Sequence, residues 1–330
     1  CLSLSNSRRN SEKGFLHCDV LIIGSGPSGL ISSYIAGLSG ARVLLVEEDF
    51  IFGGSLNNET FSVCDMPAQD WVKFILKELN KLTNVRLMKK TVIIGMFDHG
   101  IFGAVEKDKY KKIDQIFWKI TTKKTLLCSG STERLIPFQN NDVPGIMLSN
   151  SIRSYVNRWG IKNFKKVLLF TNNDDAYLTA MNLIDNEIHC IGIVDTRDNT
   201  KNVNPKINVY NSSQVINARG NLKLKSVDII NSEGKIINIE CDFLGVSGGW
   251  NPNIHISCHT GVKPEWNSKI LAFTPGKNNI STYLEAAGSA NGKFTLNECF
   301  NDSEIKIIKI LNELKIKPKK YVIPKVEKDT

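Results

Sequence analysis

The sequence lacks any unbroken apolar run near the ~18 residues that a membrane-spanning helix requires, so we expect no membrane span. None of its eight cysteines forms a Cys-x-x-Cys pair, which excludes a local redox-active dithiol and a zinc ribbon. Several cysteines lie inside apolar runs, where a reduced thiol behaves as a small hydrophobic group. The polar start of the chain has no apolar segment typical of a signal peptide. We therefore predict a reducing, cytoplasmic compartment.

Arginine is scarce for so basic a chain. The net charge is +9, yet only nine of the 42 basic residues are Arg. Nucleic-acid binders more often cluster Arg with interleaved aromatic residues, so we predict a solvated lysine surface and no nucleic-acid partner. Hydrophobic residues make up 42% of the 330 residues, which excludes a disordered chain and favours two lobes. The chain starts at Cys1 instead of Met, so we expect a fragment.

Patterns for nucleophilic catalysis and metal binding are also missing. No Gly-x-Ser-x-Gly elbow or Ser/His/Asp order is evident, which argues against a hydrolase. His255, Cys258 and His259 lie close together, but no neighbouring Cys or His pair offers a fourth metal ligand. Asp98-His99 has no nucleophile beside it. We predict no metal site and no catalytic residue on this chain.

A glycine-rich turn, Gly24-Ser25-Gly26-Pro27-Ser28-Gly29, is the strongest positive signal. It follows the apolar run 18–23, opens a predicted helix over 27–38 and precedes a predicted strand over 42–46. Glu47 ends that strand, 23 residues after Gly24. This is the complete context of a dinucleotide-binding fingerprint within a βαβ unit.

Each position of the fingerprint has a physical task. Gly24 permits the tight turn, Gly26 lets the backbone approach a pyrophosphate at the helix N-terminus, and Gly29 lets helix and strand pack closely. Glu47 can accept hydrogen bonds from ribose hydroxyls. Together with Glu48 it would repel a 2′-phosphate, so we expect NAD or FAD rather than NADP.

A second βαβ pattern follows, with strands over 167–170 and 188–194 around a helix over 176–184. Where glycines would be expected stands Thr171-Asn172-Asn173-Asp174-Asp175-Ala176. Asp174 and Asp175 put negative charge at the helix N-terminus, which suits capping and not anion binding. We predict a degenerate lobe without nucleotide over 161–240.

This second lobe interrupts a first dinucleotide-binding lobe, predicted over 17–160 and 241–315. A linker over 1–16 and a tail over 316–330 flank the two lobes. Apolar spacing further predicts helices over 67–83, 149–159 and 295–314, and strands over 242–246 and 283–287. A β-rich stretch over 206–242 should turn at Ser232-Glu233-Gly234.

Three blocks of residues make the chain resemble a known family. They are Phe97-Asp98-His99 with Gly103; Glu133-Arg134 through Asn140-Asn141-Asp142-Val143-Pro144-Gly145-Ile146-Met147-Leu148; and Ser247-Gly248-Gly249-Trp250-Asn251-Pro252, continued by Phe273-Thr274-Pro275-Gly276 and Ala286-Ala287-Gly288. With the fingerprint and the turn at Cys128-Ser129-Gly130, they resemble the alpha subunit of heterotetrameric sarcosine oxidase over roughly residues 17–315. That subunit has the glutathione-reductase type of fold, which is α/β with two Rossmann-like lobes, one inserted in the other.

The resemblance implies a complex of alpha, beta, gamma and delta subunits. It implies oxidative demethylation of sarcosine to glycine with formation of H2O2, while the one-carbon unit passes to tetrahydrofolate. FAD would lie in the beta subunit, FMN between the alpha and beta subunits, and NAD in this chain without being turned over. A folate-binding domain would follow the tail. The implied cofactor contacts are Gly24, Gly26, Pro27, Ser28, Gly29, Glu47, Glu48, Gly54, Ser55, Ser129, Gly130 and Gly288.

Two departures from the pattern bear on the cofactor. Cys128-Ser129-Gly130 replaces the more usual Ala-Thr-Gly, and Gly288-Ser289 replaces the Gly-Asp that holds the flavin in flavin reductases. The second departure favours NAD over FAD. The alternatives are an FAD-dependent NAD(P)H oxidoreductase, the alpha subunit of a related opine or cyanide-forming amino-acid oxidase, and a non-enzymatic nucleotide-binding module.

Overall fold

The computed structural model describes residues 11–107, 113–198, 207–259, 261–276 and 283–326. The helices are α1 (Pro27–Leu38), α2 (Ala68–Asn80), α3 (Ser149–Asn157), α4 (Asp175–Asp185), α5 (His255–Cys258) and α6 (Leu296–Glu313), and 3₁₀ helices cover Gly54–Asn58, Asp98–Gly100 and Gly288–Asn291. Within these ranges no helix is long and apolar enough to cross a membrane.

The strands follow in chain order. They are β1 (Ser11–Ile23), β2 (Val43–Val46), β3 (Ser62–Val63), β4 (Met66–Pro67), β5 (Val85–Met88), β6 (Thr91–Phe97), β7 (Ile101–Lys107), β8 (Gln115–Leu127), β9 (Ser131–Glu133), β10 (Ile146–Leu148), β11 (Val167–Thr171), β12 (Cys190–Asp195), β13 (Val209–Tyr210), β14 (Gln214–Gly220), β15 (Leu224–Ile230), β16 (Ile236–Glu240), β17 (Phe243–Ser247), β18 (Trp250–Pro252), β19 (Glu265–Asn267), β20 (Ala272–Thr274) and β21 (Leu284–Ala286).

The first compact unit takes in the described residues of 11–56, 61–131 and 252–326. Its sheet has the order β5-β2-β1-β8-β7-β6, and β21 also pairs with β8. Strands β5, β2, β1, β8 and β21 are parallel, whereas β6 and β7 join as an antiparallel extension. The carboxyl ends of the parallel strands meet at one edge of the sheet, which is where open α/β folds bind ligands.

Helices α1, α2 and α6 contribute to the main core of this unit. Helix α2 has apolar residues at helical spacing, and its Trp71 and Leu79 are buried. Phe300 of α6 packs edge-to-face on Trp71, with ring centroids 5.4 Å apart. Helix α6 begins at a capping box in which Thr295 and Glu298 satisfy each other's backbone N–H groups. The predicted helices of this unit are therefore confirmed.

The second compact unit takes in 57–60 and the described residues of 132–251. Its parallel sheet has the order β10-β17-β11-β12-β13, and β14-β15-β16 form a separate antiparallel sheet. The predicted turn at 232–234 is present, and the side-chain oxygen of Asn231 accepts hydrogen bonds from the backbone N–H groups of Glu233 and Lys235. The predicted fold class, with two Rossmann-like lobes of which the second is inserted in the first, is confirmed.

The second unit is wider than the predicted span of 161–240. Strand β10 pairs with β17, as Ile146 opposite Leu244 illustrates, and Ile152 of α3 is buried in the same core as Val167. Residues 146–157 thus fold with strands that lie far ahead in the sequence. Spacing within residues 146–157 alone could not reveal this partnership.

Both ends of the described chain differ from the expected linker and tail. Strand β1 already begins at Ser11, because residues 11–16 pair with the start of β8; residues 1–10 lie outside the described ranges. At the other end, Ile316 and Ile323 pack against the core of the first unit, and the Tyr321 hydroxyl donates to Glu304 over 2.6 Å. Residues 327–330 lie outside the described ranges.

Candidate dinucleotide-binding site

The glycine-rich turn joins β1 to α1 in the first unit. Gly24 has a φ of +96°, and a Cβ added there would lie 2.3 Å from the carbonyl oxygen of Cys128. A Cβ added at Gly29 would lie 1.9 Å from the carbonyl oxygen of Gly24. The backbone of α1 therefore touches the backbone of the turn directly, and both positions exclude any larger residue.

Gly26 has different surroundings, because a Cβ added there would meet no protein atom within 4 Å. Gly26 precedes α1 in an extended conformation, and the first turn of the helix has neither a side-chain cap nor an acidic residue. Pro27 occupies the first helical position, where its missing N–H removes no helical hydrogen bond. The N-terminus of α1 thus offers backbone donors beside open space, an arrangement that fits the pyrophosphate of a dinucleotide.

Glu47 lies at the end of β2 and is 8% exposed. One carboxylate oxygen, Oε2, accepts hydrogen bonds from the backbone N (2.8 Å) and the Oγ (2.6 Å) of Ser25, and Oε1 accepts from the backbone N of Asp49 (2.9 Å). A carboxylate has about four acceptor positions, so Glu47 can fix the turn and still accept from a ribose hydroxyl. Glu48 is exposed and adds negative charge beside it.

The loop at residues 53–56 packs against the same turn. The backbone N of Gly53 donates to the carbonyl oxygen of Ser25 over 3.1 Å. A Cβ added at Gly54 would lie 2.8 Å from the Cα of Gly26, so this glycine is needed for a contact within the protein. Ser55 is exposed. A contact of Gly54 or Ser55 with a cofactor stays a prediction.

The Ser129-Gly130 turn follows β8 and is held by Asn253. The Oγ of Ser129 donates to the carbonyl oxygen of Asn253 over 2.5 Å, and the backbone N of Asn253 donates to the carbonyl oxygen of Gly130 over 3.0 Å. Gly130 has a φ of +72°, and a Cβ added there would meet nothing within 4 Å. The turn is therefore fixed on one side and open on the other.

Gly288 follows β21 and packs on α1. A Cβ added at Gly288 would lie 2.0 Å from the Oγ of Ser28. The backbone N of Gly288 donates to Asp302 of α6 over 2.9 Å, and the side-chain amide of Asn291 donates to both oxygens of the same carboxylate at 3.1 Å. Ser289, which follows Gly288, has its Oγ 3.7 Å from the Sγ of Cys299. The carboxylate beside Gly288 is thus supplied by a distant helix and is occupied by backbone and amide donors.

Sequence patterns did not identify three of the side chains that hold this site in place. Ser25 occupies a position of the fingerprint at which any residue is formally allowed. Asn253 and Asp302 are distant in sequence from the turns that they fix, and no local pattern identifies them. The candidate residues 24–29, Glu47 and Gly54 are brought into mutual contact by the fold, whereas Glu48 and Ser55 lie exposed nearby.

In the second unit, a side chain fills the place of the missing glycines. The side-chain nitrogen of Asn173 donates to the carbonyl oxygen of Ser247 at the end of β17 over 3.0 Å. The side-chain oxygen of Asn173 accepts from the backbone N of Asp175 over 2.9 Å and so begins α4. Asp174 makes no side-chain cap, so the predicted capping by Asp174 is wrong; Asn173 can bend back toward the helix, whereas Asp174 points to another partner.

That partner is Arg197, which also covers the end of β12. Its guanidinium contacts Asp174 at 2.7 Å and Asp195 at 2.8 Å. Asp195 is fully buried and also accepts a hydrogen bond from the Tyr177 hydroxyl at 3.0 Å. Asp195 ends the second strand of this βαβ unit, as Glu47 does in the first unit. Here the carboxylate is occupied by side chains of the protein.

Four charged residues form a buried ion cluster in the second unit: Glu59, Glu133, Arg153 and Asp175. Arg153 is 3% exposed and contacts Asp175 at 2.9 Å and Glu59 at 3.4 Å. Glu133 accepts a hydrogen bond from the backbone N of Asn150 over 2.8 Å. Burial raises the pKa of Glu133 to about 7 and also raises the pKa of Glu59. The negative charge predicted for Asp175 is therefore balanced by Arg153.

Comparison with known proteins adds the family. Residues 19–114 match the family model of FAD dependent oxidoreductases. The chain is 32% identical over 328 residues to sarcosine oxidase subunit alpha of Rhizobium meliloti (strain 1021). The aligned region covers 96% of this chain and 33% of that protein. It is 31% identical over 294 residues to sarcosine oxidase subunit alpha of Corynebacterium sp. (strain U-96), which covers 82% of this chain and 30% of that protein. The chain spans about a third of the length of these relatives.

A solved structure supports the fold. The L-proline dehydrogenase from P. horikoshii superposes with a TM-score of 0.73 and 21% identity, over 93% of this chain and 58% of that chain. At this identity the likeness concerns the fold alone. The sequence matches confirm the predicted resemblance to the sarcosine oxidase alpha subunit and the prediction of an oxidoreductase domain.

Proposed function

We propose that this chain is the dinucleotide-holding part of a sarcosine oxidase alpha subunit. Nearly its whole length is related to about one third of the length of such a subunit. The complex would oxidatively demethylate sarcosine to glycine, form H2O2 and pass the one-carbon unit to tetrahydrofolate. Its beta, gamma and delta subunits would be the partners of this chain, and FAD and FMN would lie in the complex outside this dinucleotide site. The observation that supports the proposal most is the open backbone cradle at Gly26.

We propose NAD as the dinucleotide of this site. The backbone donors at the start of α1 would hold its pyrophosphate, and Glu47 would accept from a ribose hydroxyl while Ser25 keeps its carboxylate in place. The residue after Gly288 is Ser289 and not an acid, so the site lacks the partner that the Gly-Asp of flavin reductases gives to the ribityl chain. The match to FAD dependent oxidoreductases supports FAD as the alternative.

In this proposal the chain binds and orients a cofactor, and the substrate lies on a partner subunit. A bound flavin would supply hydride acceptance, whereas a bound NAD that is not turned over would complete the fold of the first unit. The backbone N–H groups around Gly26 would donate to the cofactor, and the Glu47 carboxylate is held in place to accept from it. The site would therefore bind the cofactor without transferring a proton.

Mass spectrometry of the supernatant from the denatured, purified chain tests the cofactor. We expect NAD in the wild-type protein and none in Gly26→Val, because the new side chain would occupy the space of the pyrophosphate. Gly26→Val should still fold with an unchanged Tm when both proteins are stripped of ligand, since a Cβ there meets no protein atom. Equal NAD content in the two proteins would contradict the placement, and FAD instead of NAD would establish the alternative.

Peroxide formation from sarcosine tests the division of labour. The cofactor-loaded chain alone should produce none, and the reconstituted complex should produce it. Activity of the chain alone would contradict the proposed role. Oxidation of an opine or of another amino acid by the complex, in place of sarcosine, would identify the related oxidases as the better assignment.

The alternative of an NAD(P)H oxidoreductase requires a working nucleotide site in the second unit. Asn173 lies where a phosphate would have to approach the backbone, and Arg197 pairs with the Asp195 carboxylate at the end of β12. Both contacts favour the proposal of a cofactor-holding subunit over that alternative.

A further inference from the structure

The first unit contains a cavity of about 400 Å³ beside β21. Its walls come from β21, from the 3₁₀ helix Gly288–Asn291, from α6 and from the segment between Ser257 and Pro275. None of the twelve residues predicted to contact the dinucleotide lines it. Cavities that bind small molecules have volumes of about 300–1,000 Å³, so this one has the size of a ligand site.

The wall of the cavity carries an excess of positive charge. Three lysines, Lys293, Lys306 and Lys309, line it together with a single carboxylate, Glu285. Glu285 is 8% exposed, its Oε2 lies 2.9 Å from the Nζ of Lys306, and its Oε1 contacts Lys309. One buried carboxylate thus contacts two ammonium groups, of which Lys309 also lies 4.0 Å from Glu313 of α6.

Lys293 has no such close partner in the wall. Its ion pair is with Glu298, at 3.9 Å, and Glu298 is engaged in the capping box of α6. Asn267 also lines the cavity; its side-chain oxygen accepts from the backbone N of Lys269, and its amide nitrogen has no acceptor among the residues that the structure describes. An ammonium and an amide therefore line the cavity as donors in addition to the pair held by Glu285.

We propose that this cavity binds a small organic anion through a carboxylate or phosphate group. Lys293 and Asn267 would donate to the anionic group, and Lys306 would share it with Glu285, because charge-assisted hydrogen bonds of this kind are short and strong. Glu285 keeps two lysines ordered when no ligand is bound. The three ammonium groups of the wall disfavour a metal cation as the occupant.

Isothermal titration calorimetry of the chain at low ionic strength tests the proposal, with succinate and inorganic phosphate as separate probes. We expect saturable binding of at least one probe at millimolar concentration or below. Binding of succinate alone would identify a carboxylate-bearing ligand, and binding of phosphate alone a phosphate-bearing one. Absence of binding by both probes would overturn the proposal.

Two variants locate the binding. Lys293→Gln should weaken it about tenfold, the effect of losing one hydrogen bond to a charged group. Lys77→Gln, on the exposed side of α2, makes the same change of charge away from the cavity and should leave affinity within about twofold, since charges on an exposed surface are screened. Equal weakening by the two variants would contradict the site.

Glu285→Gln gives a prediction of the opposite sign. It removes the internal carboxylate that competes for Lys306 and Lys309, so the probe should bind more tightly than in the wild type. A purely structural role of Glu285 would give unchanged or weaker binding. If this variant does not fold, the comparison of Lys293→Gln with Lys77→Gln still decides the question.

Discussion

Replacing Glu133 with glutamine should stabilise the second unit at alkaline pH and have little effect at acidic pH. Glu133 is 6% exposed. Its Oε2 accepts from the backbone N of Asn150 at 2.8 Å, and its Oε1 has no hydrogen-bond partner among the described residues. Burial is the largest influence on the pKa of Glu133, and the nearby negative charge of Asp175 acts in the same direction.

The magnitude follows from the pKa difference between the folded and unfolded chain. The pKa of Glu133 rises from the ordinary 4.5 to about 7, so between these values the folded protein holds a proton that the unfolded chain has released. Unfolding then releases a proton, and the free energy of unfolding falls as the pH rises through this window. At about 1.4 kcal/mol per pKa unit, the loss reaches about 3 kcal/mol above pH 7. Glutamine stays neutral and keeps one acceptor oxygen, so it should recover most of this loss.

Hydrogen exchange of Val167–Thr171, the central strand of the second unit, measures the effect at pH 5 and pH 8. We expect the opening free energy of Glu133→Gln to exceed that of the wild type at pH 8 and to approach it at pH 5. Glu240→Gln is the matched control, because that side chain is 80% exposed in the same unit; it should change the free energy by less than about 0.5 kcal/mol. An equal gain at both pH values, or a less stable variant at pH 8, would refute the reasoning.

Three further predictions concern the two units. Arg153→Met should lower the free energy of unfolding of the second unit by about 3–5 kcal/mol at pH 8 in urea unfolding, because it leaves buried carboxylates without their cation; Lys166→Met, whose ion pair with Glu240 is exposed on both sides, should lower it by no more than about 1 kcal/mol. Gly29→Ala should lower the Tm and abolish NAD binding, whereas Gly26→Ala should leave the Tm of the ligand-free protein unchanged. With the first site filled by NAD, titration with NADH or NADPH should show no saturable fluorescence change, and micromolar binding lost on Asn173→Gly would contradict the reading of the second unit.

The dinucleotide turn could be predicted because its causes are local. The need for glycine at Gly24, Gly26 and Gly29 comes from the geometry of one strand–turn–helix unit. That unit is continuous in the sequence, so its pattern can be recognised there. The helices over 27–38 and 296–313 were predictable for the same reason, since each has its apolar spacing and its start signals within its own span.

The remaining features depend on partners that are distant in sequence. Strand β1 extends back to Ser11 only because β8 lies beside it, and no apolar pattern in residues 11–16 announces this. Asp302 accepts a hydrogen bond from the backbone N of Gly288, but in the sequence it looks like any polar residue on the exposed face of α6. The error at Asp174 has a related origin: the helix-start rule allows Asn, Asp or Ser to cap, and here Asp174 contacts the distant Arg197 while Asn173 accepts from the start of the helix.

The two βαβ units have the same topology, but the first leaves space for a nucleotide and the second does not. In the first, the position before the helix carries no side chain, and the carboxylate at the end of the second strand keeps one acceptor position. In the second, Asn173 bonds to the end of β17 and Arg197 neutralises Asp195, so the groups that would meet a nucleotide already meet each other. A ligand entering the second unit would have to displace Arg197, whose side chain is 36% exposed, from the fully buried carboxylate of Asp195. That displacement lowers the affinity of the second unit for a nucleotide, whereas Gly26 imposes no comparable cost in the first unit.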